Sequence, residues 1–277
     1  METILEIQGV SKSYENKSLF LHSVNQRVEA VKQVELSIQK KQCIGLIGES
    51  GCGKTTLAKI AVGIDKPDSG RVLYRGTDIH KLRFQEMQQV RKHVQIIFQN
   101  SRSAFNPSYT IGKSLQQVLN NFETLTKSES RKRVVTMLEQ VGLDASFAER
   151  YPEKLSGGQR QRANIARGLI VKPELIICDE PVASLDFSIR RAMLDLLKNL
   201  ISQMGLACIF ITHDISTVRY TCNEVAVMHQ GAIVEQIALS SDRQIHATHP
   251  YTRKLLDCVP ASSPSERRRG TSDHKSG

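Results

Sequence analysis

The sequence predicts an α/β fold with a mostly parallel sheet core, an antiparallel β subdomain and an inserted α-helical subdomain. Three apolar runs, at residues 43–47, 175–178 and 208–211, predict buried strands of the parallel core. A helical pattern near residues 188–204 separates the last two runs. This alternation of strand and helix is typical of a parallel sheet that is covered on both faces.

The antiparallel β subdomain is predicted by a different pattern. Polar and apolar residues alternate at residues 4–7, 34–38 and 71–74, which favours short, partly antiparallel strands. Residues 17–31 interrupt this alternation and are interpreted as a polar insertion.

The inserted helical subdomain is predicted over about residues 100–165. Within it, apolar residues recur at spacings of three and four over residues 111–122 and 129–141, which predicts two helices.

A glycine-rich loop follows the strand predicted at residues 43–47. It reads Gly48, Glu49, Ser50, Gly51, Cys52, Gly53, Lys54 and Thr55. Glycines let backbone N–H groups turn toward a phosphate, and the helix that follows directs its positive end at the same anion. Lys54 is expected to reach the β- and γ-phosphates of a nucleoside triphosphate, and Thr55, assisted by Thr56, to offer a hydroxyl to Mg²⁺.

Two carboxylates end the strand predicted at residues 175–178. Asp179 is expected beside the phosphate loop as a ligand of Mg²⁺, either directly or through water. Glu180 follows and could accept a proton from the attacking water or orient it.

Composition narrows the range of function classes. The chain of 277 residues carries a formal charge of +10, but its basic runs at 127–133 and 267–269 lack the interleaved aromatic residues that stack on bases. We therefore expect no nucleic-acid partner.

With no apolar run of about 20 residues and no signal-peptide pattern at the amino terminus, a cytosolic chain is expected. The six scattered cysteines predict buried free thiols.

The stretch Leu155, Ser156, Gly157, Gly158 and Gln159 matches the signature motif of a known family. With the phosphate loop and the two carboxylates, it makes the chain resemble the ATP-binding subunits of ABC transporters. The resemblance implies an ABC-type P-loop NTPase with a RecA-like core that binds ATP and Mg²⁺. It also implies that Gln99 senses Mg²⁺ and the attacking water, that His213 contacts the γ-phosphate, and that Tyr14 stacks on adenine.

The same resemblance implies an incomplete site in a single chain. In this family, the phosphate loop of one subunit and the signature motif of another close on the same ATP. Hydrolysis would then need a dimer, in which Ser156 and Gly158 of one chain face the γ-phosphate held by the other.

The subfamily is suggested by residues 249–256, which read His-Pro-Tyr-Thr-Arg-Lys-Leu-Leu. This segment resembles the oligopeptide, dipeptide and nickel importer ATPases, and three further stretches, at residues 101–107, 210–214 and 227–235, look most like the nickel member. Residues 179–184 are closer to the peptide type, so nickel and peptide importers both stay open, and a non-transport ABC ATPase acting on nucleic acid is a third alternative.

Membership of this subfamily would fix the partners, the location and the domains. The implied partners are a second, homologous ATPase subunit, two transmembrane permease subunits and a periplasmic or surface substrate-binding protein. The chain would lie at the cytoplasmic face of the inner membrane as a peripheral protein. Its ATPase domain would span residues 1–240, followed by a subfamily extension at 241–260 and a disordered basic tail at 261–277.

Overall fold

Two β-sheets form the framework of the chain. The computed structural model describes residues 2–16, 26–101, 103–183, 185–240 and 243–257. The first sheet is antiparallel and has the strand order β2-β1-β4-β5. Its strands are β1 (Thr3–Asn16), β2 (Gln26–Gln39), β4 (Ser69–Tyr74) and β5 (Thr77–Asp78).

The second sheet contains six strands. They are β3 (Cys43–Ile47), β6 (Val94–Ile97), β7 (Leu175–Asp179), β8 (Ala207–Thr212), β9 (Glu224–His229) and β10 (Ala232–Ala238). In the order β10-β9-β3-β8-β7-β6, all neighbours pair in parallel except the hairpin of β9 and β10. The mostly parallel core and the antiparallel subdomain are therefore confirmed.

The central strands of the second sheet are buried on both faces. Every residue of β3, β7 and β8 is buried. Successive residues of these strands contribute to two different hydrophobic clusters; for example, Ile176 lies in one cluster and Ile177 in the other. This arrangement explains why these strands appear as continuous apolar runs in the sequence.

Helices cover the sheets and fill the segment between β6 and β7. They are α1 (Lys54–Ala61), α2 (Phe84–His93), α3 (Ile111–Phe122), α4 (Lys127–Gln140), α5 (Gly157–Leu169), α6 (Phe187–Met204), α7 (Ile215–Thr221) and α8 (Pro250–Asp257). Helices α3 and α4 confirm the two helices predicted there. Helix α4 begins two residues earlier than predicted because Thr126 and Glu129 form a reciprocal capping box at its start.

The amino-terminal region differs from its prediction in two ways. Strands β1 and β2 each have 14 residues, so the prediction of short strands was wrong for this pair. Strand β2 begins at Gln26, so the interpretation of residues 17–31 as one insertion extended too far. Pairing along the whole length of β1 stabilises both strands, and no local sequence pattern reports such pairing. Residues 17–25 lie outside the described residues.

Two further expectations concern cysteines and membrane spans. The five cysteines within the described residues are free and buried, which confirms the expectation for them. Cys258 and the tail at 261–277 lie outside the described residues. Among the helices that the structure describes, none is long and apolar enough to cross a membrane.

Candidate active site

A cleft of about 500 Å³ lies at the carboxyl ends of the parallel strands. It is lined by Ala30, Ser50, Gly51, Gly53, Lys54, Thr55, Thr56, Gln99, Asp179, Glu180 and His213. The sheet register explains why these residues meet, because Ile47 pairs with Thr212 and Asp179 pairs with Ile211. The loops that follow β3, β7 and β8 therefore leave the sheet side by side, where ligands of open α/β sheets bind.

The phosphate loop needs glycine at two positions for steric reasons. A Cβ at Gly48 would lie 2.1 Å from the Met228 carbonyl oxygen, and one at Gly53 would lie 2.0 Å from the Ala30 carbonyl oxygen. Gly53 also has a φ of 108° and stands immediately before α1. The loop is thus pressed between β2 and β9, with the amino terminus of α1 opening into the cleft.

Lys54 is held across the loop by backbone carbonyl groups. Its Nζ donates to the Gly48 and Glu49 carbonyl oxygens, each at 2.7 Å, and only 7% of the residue is exposed. The ammonium group is therefore placed over the loop, where it can meet phosphate oxygens.

Asp179 is buried, and the Thr55 hydroxyl lies near its carboxylate. Burial raises the pKa of Asp179, and the nearby charge of Glu180 adds to the rise. The Asp179 Oδ1 atom is buried and has no hydrogen-bond partner in the described part of the chain.

These oxygen donors fit Mg²⁺. A buried carboxylate oxygen without a partner and a neighbouring hydroxyl are hard ligands of the kind that Mg²⁺ takes. The described residues hold no group of three or more His, Cys, Asp or Glu side chains that could enclose a metal. Mg²⁺ is commonly held by one or two protein ligands together with the phosphates of a substrate, so the donor set matches that pattern.

Glu180 and His213 form a pair at the mouth of the cleft. The His213 Nδ1 atom lies 2.7 Å from the Glu180 Oε1 atom. Glu180 has a φ of 51°, the left-handed region that non-glycine residues seldom adopt. Such strained backbone conformations are concentrated at functional sites.

His213 is followed by a firmly capped helix. Asp214 accepts hydrogen bonds from the Ser216 backbone and hydroxyl and from the Thr217 hydroxyl. Burial alone would raise the pKa of Asp214, but these hydrogen bonds outweigh it and lower the pKa. The cap fixes the turn that carries His213 from β8 into α7.

Gln99 and Tyr14 take different positions relative to the cleft. Gln99 follows β6 and lines the cleft. Tyr14 lies on β1, outside the set of lining residues, with 42% of its surface exposed. Its hydroxyl bonds Asp65 at 3.1 Å and also meets Thr56, next to the phosphate loop. An exposed ring beside α1 is available for the stacking that the resemblance implies.

The signature residues lie away from the cleft. Ser156 caps α5 and shares a capping box with Gln159, with distances of 3.0 and 3.3 Å. Ser156 and Gly157 are exposed, and a Cβ at Gly157 would meet no heavy atom within 4 Å. None of the residues 156–159 is among those that line the cleft within the described chain.

Three residues near the loop were missed by the sequence analysis. Ala30 lines the cleft, Met228 packs against Gly48, and the Tyr251 hydroxyl accepts a hydrogen bond from the Glu49 N–H at 3.2 Å. Strand pairing and chain packing bring them there, so no local signal marks Ala30 or Met228. Tyr251 belongs to the His-Pro-Tyr segment, but the sequence analysis used that segment only as a mark of subfamily.

Comparison with known proteins shows which family the sequence of this chain matches. The family model described as "ABC transporter" matches residues 31–183. A probable peptide ABC transporter ATP-binding protein of Sinorhizobium fredii is 39% identical over 96% of this chain and 75% of its own length. The oligopeptide transport ATP-binding protein AppF of Bacillus subtilis is 39% identical over 98% of this chain and 81% of its own length.

Solved structures agree with the sequence relatives. A dimeric structure of the bacterial ABC transporter cassette MJ0796 has a TM-score of 0.75 and 27% identity, and covers 86% of this chain and 100% of that chain. Another dimeric structure of that cassette holds ADP and Pi. CbiO1 of Clostridium perfringens, part of the CbiONQ transporter complex, has a TM-score of 0.72 and 28% identity, and covers 85% of this chain and 88% of that chain.

Proposed function

The chain belongs to the ABC transporter family, and from that membership we propose that it is the ATPase subunit of an oligopeptide importer. Its ABC ATPase domain binds ATP, and proteins of this type hydrolyse ATP to drive transport. The observation that carries the proposal is that residues of the phosphate loop, among them Lys54 and Thr55, meet Asp179, Glu180 and His213 in one cleft.

We propose that the phosphate loop and Lys54 bind the triphosphate. The N–H groups of the loop and the start of α1 would receive the phosphate oxygens, and the Lys54 ammonium, held by the Gly48 and Glu49 carbonyl oxygens, would donate to them as well. Tyr14 would stack on the adenine ring. Thr55 and Asp179, with Gln99 nearby, would hold Mg²⁺. Mg²⁺ when bound neutralises charge on the β- and γ-phosphates.

Glu180 is proposed as the group that orients the attacking water and takes its proton. The 2.7 Å contact with His213 would hold the carboxylate at the mouth of the cleft, beside the position of the γ-phosphate. His213 would contact the γ-phosphate itself, and Gln99 would report on the water and on the membrane partner.

Hydrolysis is proposed to need two cassettes. Residues 156–159 present the exposed start of α5 on a surface away from the cleft, so a second chain would have to supply its own copy to the same ATP. The dimeric structures of the similar cassette support this arrangement. We propose a pair of homologous ATPase subunits that acts on two permease subunits at the cytoplasmic face of the membrane and is fed by a substrate-binding protein.

Peptide is favoured over nickel as the transported substrate. The relatives from Sinorhizobium fredii, Bacillus subtilis and Lactococcus lactis are all named as peptide or oligopeptide proteins. The resemblance of residues 101–107, 210–214 and 227–235 to the nickel member finds no support among these names. The nucleic-acid alternative likewise gains nothing from these names.

Uptake in cells tests this proposal. Cells that carry the intact transporter would be given a labelled oligopeptide or radioactive nickel, with either the wild-type chain or the Glu180→Gln variant. Glu139→Gln, the same change at an exposed position of α4, is the matched control. Peptide uptake that is lost only in Glu180→Gln is expected. Loss of nickel uptake with unchanged peptide uptake would overturn the peptide assignment.

A further inference from the structure

The His-Pro-Tyr segment contacts the phosphate loop directly. The Tyr251 hydroxyl accepts a hydrogen bond from the Glu49 N–H at 3.2 Å, although the two residues are 202 positions apart. The Tyr251 ring stacks on the His229 ring, with centroids 3.7 Å apart and planes inclined by 28°. His229 ends β9, immediately after Met228, whose carbonyl packs against Gly48.

Local chemistry explains why these three residue types occur in this order. The His249 Nδ1 atom accepts from the Tyr251 N–H at 3.2 Å, while the His249 carbonyl accepts the backbone bond from Arg253 at 3.1 Å. His249 therefore caps α8. Pro250 occupies the first helical position, where a missing N–H costs nothing and the fixed φ suits the helix. Tyr251 is thereby held in a defined direction at the start of α8.

The start of α8 is also anchored to β10. The Glu235 carboxylate accepts from the Thr248 N–H and hydroxyl, each at 2.6 Å, and from the His249 N–H at 3.2 Å. Burial alone would raise the pKa of Glu235, but these hydrogen bonds outweigh it and lower the pKa to about 2. An ionised carboxylate thus ties the segment to the sheet at neutral pH.

One peptide group of the phosphate loop is held at both ends. Its carbonyl oxygen, on Gly48, accepts from the Lys54 ammonium at 2.7 Å, and its N–H, on Glu49, donates to the Tyr251 hydroxyl at 3.2 Å. Because Gly48 has no Cβ, its side of this peptide group has wide rotational freedom. A rotation would turn the carbonyl away from Lys54, and the Tyr251 hydroxyl opposes it.

We propose that Tyr251 is a positioning residue for ATP binding, which fixes the Gly48–Glu49 peptide group and through it the Lys54 ammonium. The inference rests on the proposed function, since it assumes that the cleft binds ATP. It assigns the His-Pro-Tyr segment a task at the nucleotide site. A loop that is already ordered loses less conformational freedom when the phosphates arrive, so its affinity is higher.

The test compares full-length chains that differ by one hydroxyl. Tyr251→Phe keeps the ring on His229 and removes only the acceptor for Glu49. Tyr74→Phe is the matched control, because it removes a hydroxyl that bonds Glu174 at 2.8 Å, on β4 of the antiparallel sheet. Lys54→Ala serves as the chain without a functional phosphate loop. ATP affinity is measured by titration calorimetry, and amide exchange is followed at Glu49.

Tyr251→Phe is expected to bind ATP about fivefold more weakly than wild type, the factor that one neutral hydrogen bond supplies. Exchange at the Glu49 amide should accelerate, while the melting temperature without nucleotide should fall no further than it does in Tyr74→Phe. Unchanged ATP affinity in Tyr251→Phe, beside a wild type that binds and a Lys54→Ala that does not, would overturn this inference alone. A wild-type chain that failed to bind ATP would overturn the proposed function and this inference together.

Discussion

The His213 Nδ1 atom lies 2.7 Å from the Glu180 Oε1 atom, which joins the loops that follow two neighbouring strands, β8 and β7. The side chain of Glu180 is 16% exposed, whereas that of His213 is 65% exposed. The contact fixes the direction of the Glu180 side chain relative to the imidazole ring. The pair therefore presents an oriented carboxylate at the mouth of the cleft.

Replacing Glu180 by Gln should separate binding from hydrolysis. The amide cannot take a proton from water, so ATP turnover in the assembled transporter should fall by at least about a hundredfold. ATP affinity should stay within about twofold of wild type, since the phosphate loop and Lys54 are unchanged. Phosphate release and equilibrium titration would measure the two quantities. Turnover at the wild-type rate would remove Glu180 from its proposed role.

Replacing Asp179 by Asn should stabilise the empty chain and damage the site. Because the pKa of Asp179 in the folded state is raised above 3.8, folded stability falls as the pH rises through the interval between 3.8 and that raised value. The neutral amide avoids this loss. At pH 7 the variant should therefore melt at a higher temperature than wild type. Calorimetric scans without nucleotide, at pH 7 and below 3.8, would show the difference disappear in acid.

The same Asp179→Asn variant should lose the dependence of ATP affinity on Mg²⁺. Titrations with Mg²⁺ and with EDTA should give similar affinities for the variant and different affinities for wild type. An undiminished response to Mg²⁺ in the variant would show that Asp179 is not a ligand.

Replacing Ser156 by Arg should disturb a site that the same chain does not contain. The Ser156 side chain is exposed at the start of α5 and does not line the cleft of the same chain. The ATP affinity of that cleft should therefore stay within about twofold of wild type. Turnover of the assembled transporter should fall at least about tenfold, because the arginine would stand where the γ-phosphate of the partner's ATP must fit. Ser156→Ala is the control, since it loses the cap, worth about 1 kcal/mol, without adding bulk. Full transport activity in Ser156→Arg would contradict the shared site.

Replacing Glu235 by Gln should reveal an acid-sensitive anchor. The pKa of Glu235 is lowered from 4.5 to about 2 by its hydrogen bonds to the start of α8. A lowered carboxyl pKa stabilises the folded state above the unfolded pKa, and this contribution disappears as the pH falls through the folded value. Wild type should therefore melt higher than Glu235→Gln at pH 7, and the gap should close between pH 4.5 and about 2. A gap of constant size across this interval would refute the assignment.

The phosphate loop and the central strands could be predicted because their causes are local. Glycines, a lysine and a threonine between an apolar strand and a helix specify one structure, and Gly51, Gly53, Lys54 and Thr55 line the cleft. The carboxyl ends of parallel strands meet by topology, so Asp179 could be placed beside the phosphate loop from the sequence pattern, whereas His213 was placed at the γ-phosphate by the family resemblance. Their chemical roles stay predictions until the variants are measured.

The contacts with β2 and α8 could not be predicted because they join distant segments. Ala30 reaches the cleft only because β2 pairs with β1 over 14 residues, and part of β2 has the polar composition of an exposed strand. Tyr251 reaches Glu49 through a cap, a stacked ring and a carboxylate anchor, each on a different element. Sequence patterns report the spacing of apolar and polar residues within one element. They carry no information about contacts between elements that are distant in the sequence.

The exposed start of α5 does not line the cleft of its own chain, so the proposed shared site implies an order of events. If the start of α5 of a second chain completes the site, as proposed, a lone copy would bind ATP without hydrolysing it, so ATP binding would come before pairing. The rate of ATP hydrolysis by the isolated chain should consequently rise faster than linearly with the protein concentration. On dilution, this hydrolysis should become undetectable. In a cell, subunits that are not assembled into a transporter would then hydrolyse almost no ATP.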